Sequence, residues 1–189
     1  MFDQLAGLLL VGLGLRNPVT GNVAGEATDR KETHASRTAD LKERRDQFKE
    51  KLLTIRDERK KTIVERVANR MSQVNTNRTN QMTKHLGTMS EILKKVASRA
   101  ATAKEKDKDT SSVDSAVAAA QAAISAAQTA VSAQAGKEYV VTISSETGVG
   151  QDVKNTMNTL QSDIKGVYAQ VVAAREAVRT AVKALAAVL

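Results

Sequence analysis

The chain has 189 residues, a formal net charge of +8 and 41% hydrophobic residues, enough for one domain or two slim substructures. Phe2, Phe48, Tyr139 and Tyr168 are its aromatic side chains and Pro18 its single proline, so a bulky globular core is excluded and Ala, Val and Leu must pack in narrow helix seams. The absence of Cys excludes disulfides, thiolate metal sites and cysteine nucleophiles.

Taken in chain order, LAGLLLVGLGL at residues 5–15 is the first feature. It is too short for a membrane-spanning helix, which takes about 20 residues, and has the length of a signal-peptide core. Val23, Ala24 and Gly25, or Gly25, Glu26 and Ala27, offer small residues at the spacing of a cleavage site. Asp3 stands where a basic residue belongs, so three readings stay open: a signal or export segment, a short lipid-facing anchor, and a tail tucked against the rest. Residues 1–27 form this first division.

From about residue 29 to 104 there is no Pro and one Gly, Gly87. Positions 48, 52, 55, 59, 63, 67, 71, 74, 78, 82, 86, 89, 93, 96, 100 and 103 make one stripe, apolar except at Arg59 and Arg78. Its mean spacing of about 3.67 residues is the eleven-residue type of repeat and predicts one very long, nearly straight helix, roughly 80 Å over the stripe. Before Phe48 the stripe fades to Leu41 and scattered Ala, leaving surface pairs such as Asp40 with Arg44 to support the first turns.

KEKDKDT at residues 104–110 reads as a polar turn, and Ser111 with Asp114 as the capping box of a second helix ending at Gly136. The seam of that helix is Val113, Val117, Ala120, Ile124, Ala127, Val131 and Gln134. In KEYVVTISSETGVG, Tyr139, Val141 and Ile143 alternate as in a strand before Gly148 and Gly150. This connector, 137–150, is expected to run down the side of the first helix, with a local loop carrying a small twisted hairpin as the alternative. A last helix from about Gln151 carries heptads from Val153 through Met157, Leu160 and Ile164 to Val188. The fold expected is all-α: one very long helix and two others in an elongated antiparallel three-helix coiled-coil bundle over 71–189, with residues 28–70 as a protruding basic helical arm.

The charge is uneven: residues 30–84 sum to +8, while residues 1–29, 85–136 and 137–189 sum to -2, +1 and +1. Within the arm, Phe48, Leu52, Ile55, Ile63, Val67 and Met71 form a candidate partner-facing stripe, and Arg56, Arg59, Lys60, Lys61, Arg66 and Arg70 a candidate anion-binding flank. Such a flank could neutralise phosphates without reading sequence. Acidic residues interrupt each basic cluster and no aromatic side chains interleave for base stacking, which favours a solvated helix face.

RDERKKTIVERVANRM at 56–71 and GVYAQVVAAREAVRTAVKALAAVL at 166–189, separated by QAGKEYVVTIS at 134–144, resemble a family of uncharacterised small, alanine-rich helical proteins of candidate-phyla bacteria. The resemblance covers most of residues 41–187. It implies an exported or envelope-associated helical protein and carries over no catalytic residue.

Chemistry is sparse. His34 and His85 are far apart and lack carboxylates at metal-pair spacing. Met82, His85 and Met89 share a helix face, where seam filling by Met accounts for them more simply than a soft-metal site. GxG within TGVGQDVKNT lacks the third glycine and the Lys of a phosphate loop. No metal, cofactor or catalytic residue is therefore expected. The expected role is non-enzymatic: helix packing, by self-association as a homo-oligomer or by docking a helical or envelope partner, in an exported setting. The alternatives are a cytoplasmic protein that binds nucleic acid through the arm, and a peripheral protein on an anionic membrane surface.

Overall fold

The computed structural model describes the backbone of residues 23–189 and the side chains of residues 38–189. The apolar run at 5–15 lies outside the described residues. The protein is all-helical, with α1 at Val23–Leu53, α2 at Glu58–Lys104, α3 at Ser111–Ala135 and α4 at Val149–Val188, and no strand among the described residues. It divides into two units, Met1–Asp40 and Leu41–Leu189. The described part of the first is helical from Val23. All that follows concerns the second.

The single very long helix is interrupted at residues 54–57. Local hydrogen bonding explains the break. Thr54 Oγ1 donates to the Lys51 carbonyl at 2.6 Å, and the Thr54 and Ile55 amides bond three residues back to Lys51 and Leu52, which tightens and closes α1. Asp57, in an extended conformation, then accepts from the Arg59 and Lys60 amides at 2.9 and 3.2 Å and caps α2. Its own amide donates to Glu146 at 3.0 Å. The interruption drops Ile55 into a core with Leu52, Val64, Met71, Tyr139, Val141, Ile143, Val149 and Leu160.

The buried line of α2 keeps the expected Met71, Met82, Leu86, Met89, Leu93, Val96, Ala100 and Ala103. Between them it departs by one residue: Val64, Asn75 and Thr79 are buried where Ile63, Val74 and Arg78 were expected, and Ile63 is 57% exposed. Adjacent residues lie about 100° apart around the axis, so each one-residue step presents a different side chain to the core.

α2, α3 and α4 each contact the other two, and Leu86, Leu93, Val96, Val113, Ile124, Val171, Val178 and Leu185 pack with Ala100, Ala120, Ala127, Ala174 and Ala181 in one cluster. Lys108 Nζ donates to the Val188 and Leu189 carbonyls at 2.8 and 2.9 Å, holding the end of α4 at the α2–α3 turn. The cap of α3 is Thr110 rather than Ser111. Thr110 makes no side-chain cap bond, so the expected Ser111–Asp114 box does not form; Asp109 instead accepts from the Ser111 amide and hydroxyl at 2.9 and 2.6 Å, and these two bonds hold its carboxyl below the usual range.

The connector after Gly136 alternates as its sequence does: Tyr139, Val141 and Ile143 are buried, and Glu138, Thr142 and Ser144 are exposed. Arg45 of α1 pairs with Glu138 through two guanidinium bonds, the Nε bond at 2.7 Å. Asp152, in the first turn of α4, accepts from the Ser144 amide and hydroxyl, both at 2.7 Å, so α4 starts beside the connector and low on α2.

Candidate docking groove

The expected partner-facing stripe is covered from within. Leu52, Ile55 and Met71 are buried, Phe48 and Val67 are half-buried against the connector and α4, and Ile63 alone stands in solvent. The expectation of an arm protruding over 28–70 is corrected on the same ground for residues 48–70, because the connector supplies the missing apolar face.

Between the two apolar clusters lies a polar layer that joins α2, α3, the connector and α4. Asn75 Nδ2 donates to the carbonyls of Gln134 and Lys137, each at 3.0 Å. Gln134 Nε2 donates to Asn75 Oδ1 at 3.0 Å and to Tyr139 Oη at 2.6 Å. The Tyr139 hydroxyl in turn donates to Asp163 at 2.7 Å, and Lys137 Nζ pairs with the same oxygen at 3.0 Å. Gln134 was legible as a seam position, but Asn75 was hidden behind the neighbouring Val74. A run of Asn75, Thr79 and Gln134 at core spacing is the signal that would have found the layer.

Burial, with the Asp163 carboxylate facing it, pushes the Tyr139 phenol up to about 12. Burial alone would raise the Asp163 carboxyl, but the bonds from Tyr139 and Lys137 outweigh it and hold the carboxyl below its usual range. The unfolded chain loses the Tyr139 proton near 10, before the folded protein does, so stability is complete below pH 10 and falls as pH rises to 12. Denaturant titrations at pH 9 and 12 should show the wild type losing about 2 kcal/mol more than Tyr139→Phe.

A groove with a cavity volume of about 590 Å³ opens between α2 and α4, within the size range of binding sites. α2 contributes Val67, Met71, Val74 and Met82, and α4 contributes Met157, Leu160, Ile164 and Tyr168. These residues follow helical spacing on both walls. Met157 and Tyr168 are 37% and 54% exposed, so the apolar lining reaches solvent. Arg70, Arg78, His85 and Lys165 also line it, and among the described residues no Asp or Glu does. Of the expected Met82, His85 and Met89 face, both Met are buried and His85 is exposed at the groove wall.

The expected anion-binding flank is dispersed over the outer surface of α2 and the residue before its cap. Lys61 lies 3.9 Å from Glu58, while Arg56, Arg59, Lys60, Arg66 and Arg70 have no carboxylate within 4.0 Å among the described residues. Only Arg70 joins the groove. Among the described residues no three His, Asp or Glu gather as a metal site. One described helix, α3, is long and apolar enough to cross a membrane by length and composition, and it is the helix whose Ala120, Ile124 and Ala127 are fully buried between α2 and α4.

No family model, curated protein or solved structure matches this chain.

Proposed function

We propose that residues 41–189 form a non-catalytic packing module, an antiparallel three-helix coiled-coil scaffold that docks a helical partner. The open apolar groove between α2 and α4 carries this reading, because exposed apolar side chains concentrated at helical spacing are the mark of an interaction surface. Of the expected stripe, Phe48, Leu52 and Ile55 are covered by the connector and no longer support it, while Val67 and Met71 line the groove. An envelope or extracellular setting for the docking rests on the resemblance in residues 56–71 and 166–189.

A photo-crosslinking amino acid placed at Tyr168, at the groove mouth, tests the reading in the cells that make the protein. A discrete adduct is expected there and not from the same group at Ile92, which is exposed away from the groove. Equal labelling at both positions, or none at Tyr168, would overturn it.

A further inference from the structure

We infer that the occupant of the groove is an amphipathic helix of a different chain, with acidic residues flanking its apolar stripe. This rests on the docking reading and adds the chemistry of the partner.

The walls define the shape. On α2 the groove is lined at positions 67, 71, 74, 78, 82 and 85, and on α4 at 157, 161, 164 and 168, steps of three and four throughout. Two parallel seams of that spacing accept the ridge of a further helix, completing a four-helix arrangement. From Val67 to His85 the α2 wall runs about 27 Å, or five turns of an occupant.

The charge defines the flanks. Arg70, Arg78 and Lys165 are exposed at the groove, none has a carboxylate within 4.0 Å among the described residues, and Arg78 spends its guanidinium on a 3.4 Å contact with Gln81. With no acidic lining residue, the patch repels cations and favours Glu or Asp on whatever lies between the helices. The same fact argues against a second copy. Pairing the groove with itself would set these three cations against three more, with no carboxylate in either lining to neutralise them.

Fluorescence anisotropy with three labelled 18-residue peptides tests the inference: Leu heptads flanked by Glu, the same composition scrambled to abolish the stripe, and Leu heptads flanked by Lys. The full chain should bind the Glu-flanked peptide at least tenfold more tightly than either control. The charge reversal Arg70→Glu, Arg78→Glu, Lys165→Glu, all at exposed positions, should switch preference to the Lys-flanked peptide. Should the reversal unfold the protein by circular dichroism, neutralisation to Gln at the same three positions should erase the preference for Glu over Lys. Equal binding of the scrambled peptide, or of labelled duplex DNA, would reduce the site to charge alone and overturn the inference. So would equal binding of the Lys-flanked peptide, or sedimentation showing dimers that the peptide dissociates. A crosslink at Tyr168 together with failure of the Glu-flanked peptide would remove the acidic helix and leave the docking reading standing.

Discussion

Replacing Ala127 by Leu is expected to cost about 3 kcal/mol, toward the upper end of what overpacking a well-filled core costs. Ala127 is fully buried on the face of α3 that packs in one cluster with residues of α2 and α4. A methyl group is the whole side chain there, and the same cluster holds further alanines, Ala120, Ala174 and Ala181, that are equally buried. Three added carbons can be housed only by moving a helix, and a moved helix loosens its contacts along the rest of the seam. Ala122→Leu, on the exposed side of the same helix, should change stability by less than about 0.5 kcal/mol. Urea denaturation of both variants followed by circular dichroism reads the contrast. A midpoint for Ala127→Leu within error of Ala122→Leu would mean that α3 does not approach its neighbours closely.

Asn75→Val should cost about 3 kcal/mol, for a different reason. The substitution is apolar and of similar size, so little volume is lost. It withdraws two donors and one acceptor at once: the Gln134 and Lys137 carbonyls lose the Asn75 amide, and Gln134 Nε2 loses Asn75 Oδ1. Groups left buried without partners carry their full desolvation cost, about 1–3 kcal/mol each where water cannot reach. Gln134 also holds Tyr139, so Asn75→Val with Gln134→Leu should destabilise by less than the two single losses added. Chemical denaturation of the four proteins measures that coupling, and strict additivity would dissolve the layer into unrelated contacts. Gln134 Oε1 is buried with no partner among the described residues, which marks the layer as a costly device. Such a device earns its place by setting register: with Asn75 opposite Gln134, α3 and the connector can dock in only one position along α2.

Much of this was legible in the sequence. Heptads in α4, the seam from Val113 to Gln134, and the alternation of Tyr139, Val141 and Ile143 each follow from a local period, and a local period is a property of neighbouring residues. The expected helix caps came within a residue for the same reason. The break at 54–57 was less visible. Asp57 followed by Glu58 is an adequate capping signal, but a basic run with helical spacing on both sides gave no local reason to interrupt the helix. What favours the interruption is distant in sequence: Glu146 receives the Asp57 amide, and Tyr139, Val141 and Ile143 receive Ile55.

The candidate site divides in the same way. Val67, Arg70 and Met71 were singled out and Val74, Arg78 and Met82 lay on the expected stripe, yet the groove they line needs Met157, Lys165 and Tyr168 from a helix almost a hundred residues away. By itself the sequence determined the helical class, the seams and the concentration of positive charge on residues 30–84. Only the tertiary structure decided which part of the expected apolar line would be covered and which left open, because the connector packs on Phe48, Leu52 and Ile55 while Val67, Met71, Val74 and Met82 line the gap that α4 leaves beside α2.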